Sequence, residues 1–147
     1  MKKSNSSTAL AGEYFVAAEI AKMGHIALIT LRNTESVDIL ASNADGTRSV
    51  SIQVKTRSGN AHGWPLNEKV EKISSSDLFY VFVTLRGEKE RPEYFIVPSE
   101  VVKTAVTKSH ADWIVTPGRN GQQHNDNPLR KFDGYEPYRE RWEILGL

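Results

Sequence analysis

Hydrophobic residues recur at two different spacings along this chain, and each spacing predicts a different kind of element. Residues 9–23 are mostly helix formers, with apolar side chains every three or four positions, and Gly24 follows as a helix stop signal. We therefore predict a helix over this range, with Ser7 or Thr8 as its N-cap. The predicted buried stripe consists of Leu10, Tyr14, Ala17 and Ala21. The polar residues 1–8 are expected to form a flexible tail.

Short β-rich segments follow the predicted helix. Three of them, residues 25–31, 36–42 and 49–57, are separated by polar residues, and an Asp-Gly pair marks a tight turn between the last two. Residues 78–85 form a nearly continuous apolar run, which is typical of a strand buried on both faces. Residues 94–97 predict the hairpin partner of that strand.

The remaining segments combine loops with shorter helices. Residues 58–76 are polar and contain glycine, and this length predicts a functional loop or a loop with a short helix. A helix is expected to begin at Pro98 and run to about His110, followed by a loop over 116–127 and a short helix over 138–145. This order of elements favours an α/β fold with a central mixed sheet of about five strands flanked by helices.

Length and composition limit the possible classes of protein. The chain has 147 residues, which suits one domain, placed here at residues 9–147. The absence of cysteine excludes a disulfide scaffold, a thiolate metal site and a cysteine nucleophile. No apolar run approaches the roughly 20 residues of a membrane span, so we expect no membrane partner and a cytoplasmic location. The net charge of +1 does not itself indicate nucleic acid, although residues 43–72 carry five basic and three acidic side chains.

Polar side chains interrupt the apolar pattern of two neighbouring strands. In residues 49–55 apolar and polar positions alternate, so Gln53 and Lys55 share the polar face. Asp38 interrupts an apolar strand and joins that face if the two strands pair as a hairpin. Glu13 completes the cluster if the first helix packs across the same face. The alternative is a solvated face of an edge hairpin, with Glu13 as an exposed first-turn glutamate.

Such a cluster suits metal-assisted hydrolysis of phosphodiesters. Carboxylate and amide oxygens bind hard cations such as Mg²⁺, which retain several waters and bind phosphate oxygens. The cation lowers the pKa of a bound water, and a lysine offsets the charge that develops on the phosphate. Since the chain has no thiolate ligand, oxygen donors are the expected metal ligands.

The motif order resembles that of a known nuclease superfamily. Glu13 on a first helix, Asp38 in a second strand and Gln53-Val54-Lys55 in a third strand resemble the PD-(D/E)XK nucleases, a superfamily of restriction-endonuclease-like fold that includes Holliday-junction resolvases. The resemblance implies DNA as the partner, a homodimer, and Mg²⁺ as the cofactor with Mn²⁺ as a substitute, without a small-molecule cofactor. It covers about residues 9–97, so that residues 98–147 are an elaboration outside the common core.

The resemblance also implies a role for each residue of the motif. Asp38, Gln53 and the carbonyl of Val54 would bind the metal, Glu13 would be an accessory ligand, and Lys55 would position the attacking water. Gln53 stands where the superfamily usually has Asp or Glu, which removes one negative charge, although some active members carry this QXK variant. Three functions stay open: a metal-dependent DNA endonuclease, a catalytically weakened module that binds nucleic acid or protein, and a structural partner in a complex.

Candidate nucleic-acid contacts follow the third strand. Arg57, Lys69 and Lys72 could meet phosphates, although a solvated face explains them equally well. Trp64 is either a base-stacking residue or a core anchor. The histidine and acidic residues of 124–130 are interpreted as loop polarity rather than as a second metal site. Aromatic residues expected to tie the C-terminal segment to the core are Trp113, Phe132, Tyr135, Tyr138 and Trp142.

Overall fold

A computed structural model describes residues 4–31 and 36–147. Helix α1 spans Asn5–Lys22 and helix α2 spans Ser99–Val115. The strands are β1 (Ile26–Ile29), β2 (Ile39–Ser42), β3 (Ser49–Ser58), β4 (Trp64–Asn67), β5 (Leu78–Leu85), β6 (Glu93–Pro98) and β7 (Leu129–Phe132). Short 3₁₀ turns occupy Glu68–Glu71, Glu136–Tyr138 and Trp142–Leu145.

Five strands form the central sheet in the order β1-β2-β3-β5-β6. The β3–β5 pair is parallel and the other neighbouring pairs are antiparallel. The fold is therefore α/β with a mixed five-stranded sheet, as the sequence predicted. The long connection between the parallel strands contains β4, which pairs with β7 as a separate two-stranded ribbon.

The sheet separates two apolar cores. Helix α1 covers one face, where Val16 and Ile20 pack with sheet residues such as Ile52 and Val81. Helix α2 and the β4–β7 ribbon cover the other face. The buried residues of that second core are Trp64, Leu66, Val70, Tyr80, Phe82, Phe95, Val97, Val102, Val106, Phe132 and Tyr135. Because β5 lies between the two layers, seven of its eight residues are buried, which confirms the strand predicted from its apolar run.

The predicted boundaries and buried stripe of α1 were wrong. The helix begins at Asn5 because the side chain of Ser4 accepts a hydrogen bond from the backbone N–H of Ser7, so residues 5–8 are helical rather than part of a tail. Its buried residues are Gly12, Val16 and Ile20, whereas Tyr14 of the predicted stripe is 59% exposed. Gly12 decides this orientation, because it lets the helix backbone approach the side chain of Thr56 on β3.

The segments interpreted as loops contain more structure than predicted. Residues 58–76 include β4 and a 3₁₀ turn, and α2 continues to Val115 rather than ending near His110. The C-terminal segment closes the outer edge of β6, where Arg139 bridges to Phe95. Within the described parts of the chain, neither helix has the length and apolar character that crossing a membrane requires.

Candidate functional site

Asp38 lies where strand β2 begins and strand β3 continues beyond it. The pairing of β2 with β3 ends at Ile39 opposite Ile52, whereas β3 runs on to Ser58. The backbone N–H of Asp38 donates to the carbonyl of Ile52, and its Oδ2 accepts a hydrogen bond from the N–H of Val54 at 2.7 Å. The carboxylate therefore accepts the hydrogen bond that a backbone carbonyl of β2 would accept if the pairing of β2 with β3 continued.

This hydrogen bond also gives the direction of the Val54 carbonyl. In a β-strand the N–H and C=O of one residue point to the same side. Because the N–H of Val54 points to Asp38, its carbonyl faces the same edge of β3. Two oxygen donors, a carboxylate and a backbone carbonyl, therefore face one edge of the sheet.

Lys55 and Asp38 interact electrostatically in a partly buried environment. Burial raises the pKa of Asp38 above its ordinary value, although the Val54 N–H and the charge of Lys55 act in the opposite direction. Burial likewise lowers the pKa of Lys55, and the negative charge of Asp38 opposes that change. Desolvation thus outweighs the attraction between the two groups, and a further charge placed beside them would act at low effective dielectric constant.

Glu13 shares a cavity with Asp38. The cavity has a volume of about 250 Å³ and lies between the first turns of α1 and the ends of β1 and β2. Its lining residues are Ser6, Ala9, Leu10, Glu13, Thr30, Leu31 and Asp38. The hydroxyl of Thr30 donates to the carbonyl of Val37 at 2.7 Å and so fixes the chain just before Asp38. Glu13 and Asp38 therefore line one cavity.

Helix α1, which carries Glu13, does not pack on the face of the sheet that carries Gln53 and Lys55. Gln53, Lys55 and Arg57 pair in register with residues of β5 whose side chains face α2. Helix α1 packs on the opposite face, where Thr56 meets Gly12. The condition stated for Glu13, that the first helix packs across the face of Gln53 and Lys55, is therefore not met, and Glu13 meets Asp38 only as a neighbour in the cavity lining.

The donors available near this edge are few. Among residues 4–31 and 36–147, no group of three or more His, Asp or Glu side chains is arranged to hold a metal ion. Two carboxylates, Asp38 and Glu13, line the cavity, and Gln53 supplies an amide oxygen on the adjoining strand. Every one of these donors is oxygen, which suits a hard divalent cation better than a soft one.

Trp64 is a core anchor and not a base-stacking residue. It is 2% exposed, and its ring lies 4.9 Å from that of Phe82 and 6.2 Å from that of Tyr135. The guanidinium of Arg57 stacks on Trp64 at 4.0 Å and donates to the carbonyl of Gly63 at 2.6 Å. Burial therefore excludes the predicted contact of Trp64 with a base, and Arg57 is held against the core.

The other basic candidates are exposed. Lys69 lies in the 3₁₀ turn after β4, and Lys72 follows it. Trp113 is 36% exposed near the end of α2, whereas Trp64 is buried. In the sequence, Trp113 follows the apolar residues Val102 and Val106 and lies in a polar stretch of the helix. That position could have indicated its partial exposure.

The α/β fold with its mixed five-stranded sheet matches the restriction-endonuclease-like nuclease folds. A solved structure described as the bacterial homing endonuclease I-Ssp6803I shares the fold, with 19% identity, a TM-score of 0.57, and coverage of 99% of this chain and 94% of that chain. A Holliday junction resolvase from Archaeoglobus fulgidus also matches, with 14% identity, a TM-score of 0.41, and coverage of 89% of this chain and 95% of that chain. No protein-family model matches the chain, and no curated protein matches it either.

Proposed function

We propose that this protein is a metal-dependent endonuclease that hydrolyses phosphodiester bonds of DNA. The hydrogen bond from the Val54 N–H to Asp38 carries the proposal, because it holds a carboxylate at the open edge of β3, beside Lys55. The fold adds support, since the structure that shares it is named as a homing endonuclease.

The oxygen donors near this edge fit Mg²⁺, with Mn²⁺ as a substitute. Asp38, Gln53 and the carbonyl of Val54 are the proposed ligands, and Glu13 is the accessory ligand from the cavity wall. When bound, the cation supplies charge stabilisation to the phosphate oxygens and makes a water molecule more acidic.

Lys55 acts on the attacking water and on the phosphate. Its ammonium group donates a hydrogen bond to the water, and its positive charge offsets the negative charge that develops as the water oxygen bonds to phosphorus. As the water oxygen bonds to phosphorus, the water releases a proton to solvent. The bond from phosphorus to the leaving sugar oxygen breaks, and that oxygen takes up a proton from solvent. Asp38 attracts the ammonium group and so keeps Lys55 directed at this edge of β3.

The proposal extends to the assembly and its place in the cell. Each chain offers one Asp38 edge, so cleavage of both strands of a duplex calls for two copies, and we expect a homodimer that acts on DNA in the cytoplasm. Light scattering of the protein with a duplex oligonucleotide measures the number of chains in the complex. A single chain that cuts both strands would contradict the proposed dimer but not the proposed nuclease activity.

A nicking assay tests the activity. Supercoiled plasmid and branched DNA are incubated with the protein and Mg²⁺ or Mn²⁺, and cleavage is followed on gels. Asp38→Ala and Lys55→Ala should abolish cleavage while circular dichroism shows an intact fold. Lys89→Ala and Glu68→Ala are the matched controls, because both side chains are exposed and distant in sequence from the site. Equal cleavage by the wild type and both site variants would refute the proposal.

Gln53 supports a second candidate, a weakened nuclease-fold module that binds nucleic acid or protein. An amide in place of a carboxylate leaves the metal site with less negative charge, and two acidic side chains line the cavity. Calorimetry with Mn²⁺ separates the candidates, since binding of DNA without metal binding favours the module. Gln53→Glu adds the missing charge, so a gain of cleavage in this variant alone would indicate that the native site is too weak to act.

A further inference from the structure

The backbone of Asp38 departs from the regular pairing of strand β2. In a regular strand the N–H and the C=O of one residue point to the same neighbouring strand. The N–H of Asp38 donates to the carbonyl of Ile52 on β3 at 2.9 Å, whereas its own carbonyl accepts from the N–H of Thr30, which directly follows β1, also at 2.9 Å. The chain is therefore bent at Asp38, immediately before it enters β2.

This bend directs two consecutive carbonyl groups towards one residue. In a trans peptide unit the C=O and the N–H point in opposite directions. The Val37 carbonyl therefore points to the β1 side, because the Asp38 N–H of the same peptide unit points to β3. The carbonyl of Asp38 points to the β1 side as well. Both carbonyls face Thr30, whose backbone has a single N–H to donate.

The hydroxyl of Thr30 supplies the second donor. Its Oγ1 lies 2.7 Å from the carbonyl oxygen of Val37 and 3.3 Å from that of Asp38, in a partly buried environment. The backbone N–H of Thr30 thus makes the hydrogen bond that regular pairing requires, and the hydroxyl makes the additional one that the bend requires. Valine has nearly the same shape and suits a strand equally well, but it could not donate to the Val37 carbonyl.

These hydrogen bonds fix the direction of the Asp38 side chain. The peptide unit before Asp38 is held from β1 through the Thr30 hydroxyl and from β3 through the Ile52 carbonyl, and the Asp38 carbonyl is held by the Thr30 N–H. With the backbone held on both sides, the bond from Cα to Cβ has one direction. That direction allows Oδ2 to accept from the N–H of Val54 at 2.7 Å.

The chain just before the bend needs such support. Ser36 has a φ of 68°, in the left-handed region that residues other than glycine rarely adopt. A backbone in this region persists only where surrounding contacts hold it. The hydrogen bond from the Thr30 hydroxyl to Val37, the next residue, is a contact of this kind.

We propose that Thr30 is a positioning residue of the candidate site, whose hydroxyl holds the bend that directs the Asp38 carboxylate to the N–H of Val54. Thr30 lines the same cavity as Asp38 and Glu13, but its hydroxyl proton is directed at a backbone carbonyl, so it acts through Asp38 and not on the substrate. Its effect on catalysis rests on the proposed function, whereas its effect on the geometry of Asp38 does not.

Hydrogen exchange of the Val54 amide, followed by NMR in the metal-free protein, tests the geometry directly. Thr30→Val should speed this exchange about two- to tenfold, the change that loss of one hydrogen bond produces. Thr30→Ser keeps the hydroxyl and should exchange as the wild type does. The amides of Val81 and Val83, which are fully buried on β5, report global opening and should be unaffected.

A threonine elsewhere in the chain provides the matched control. The hydroxyl of Thr116, just after α2, also donates to a backbone carbonyl, that of Asp112, at 2.6 Å. Thr116→Val removes the same kind of hydrogen bond far from Asp38 along the chain, and it should leave the exchange of the Val54 amide unchanged.

The nicking assay measures the effect of Thr30 on catalysis. Thr30→Val should lower kcat about ten- to hundredfold, which is typical of residues that orient a metal ligand, and Thr30→Ser should retain most of it. A wild-type protein without cleavage would refute the proposed nuclease activity, but Val54 exchange would still decide whether Thr30 positions Asp38. The two failures are therefore distinguishable.

Three results would overturn the role of Thr30. One is the same rate of Val54 exchange in the wild type and in Thr30→Val. Another is equally fast exchange in Thr30→Ser and Thr30→Val, which would show that the hydroxyl is not the cause. The third is an equal acceleration at Val54 and at the two β5 amides, which would indicate a general loss of stability in place of a local change at Asp38.

Discussion

Substitution of Gly12 by alanine tests the closest approach between helix α1 and the sheet. A Cβ atom on Gly12 would lie 2.8 Å from Cβ and 2.9 Å from Cγ2 of Thr56, and closer still to its hydroxyl oxygen. Carbon atoms in favourable contact are about 3.5–4.0 Å apart. Rotation of the Thr56 side chain does not move its Cβ, so the helix and β3 must separate by roughly 1 Å.

Two opposing effects determine the change in stability. Alanine is favoured over glycine inside a helix by about 1 kcal/mol. Overpacking of a well-filled interface costs about 1–3 kcal/mol, and here we expect the upper end because backbone must move and Val16 and Ile20 lose contact with the sheet. The net loss in the free energy of unfolding is then about 2 kcal/mol, which lowers the melting temperature by about 4–8 °C.

Urea denaturation followed by circular dichroism measures this loss. Ala18→Gly, at an exposed position of the same helix, calibrates the propensity effect and should cost about 1 kcal/mol. In a Thr56→Gly background the cost of Gly12→Ala should shrink, because the opposing Cβ is absent. A Gly12→Ala protein about 1 kcal/mol more stable than the wild type would show that propensity alone acts, and would refute the close approach.

Two further predictions concern ion pairs. Hydrogen bonding to Arg86 is the main cause that lowers the pKa of Glu93 below its ordinary value of 4.5, so the carboxylate stabilises the fold above that pH and loses this effect as the pH falls through the lower folded pKa. Glu93→Gln should therefore reduce the free energy of unfolding at pH 7 but not at pH 2, and an equal reduction at both pH values would contradict this. Glu71→Ala leaves Arg130 buried without its carboxylate and should cost about 3 kcal/mol in urea denaturation, whereas adding Arg130→Met should recover part of the loss. A double variant that loses the sum of the two single effects would contradict the pairing.

The sheet was predictable because its strands have distinct apolar patterns. The continuous run of β5 and the alternation in β3 depend on burial alone, which hydrophobicity reports directly. The orientation of α1 was not predictable from the same signal. Its packing is centred on Gly12, a residue without apolar character, whereas the apolar Tyr14 points to solvent. Close approach of backbones depends on the absence of a side chain, and periodicity of hydrophobic residues does not report it.

The candidate site shows the same division. The sequence predicted that Asp38 and Lys55 come together, because strand alternation and hairpin pairing are local. Which face receives α1 depends on packing, and the helix does not cover the face of Gln53 and Lys55. Burial of Trp64 follows from the β4–β7 ribbon, in which it pairs with Phe132. Pairing of Asn67 with Leu129 joins distant segments, and no local pattern predicts it.

That ribbon also has a consequence for synthesis of the chain on the ribosome. The proposed catalytic residues all precede residue 58, and the central sheet is complete at Pro98, but β4 acquires its partner only with β7. Contacts between distant segments form late, and N-terminal parts of a nascent chain fold first. Until residues 129–132 emerge and dock, Phe82 and its neighbours lack the cover of Phe132. During synthesis this apolar surface is therefore open to solvent and to other chains until residues 129–132 have been added and have docked.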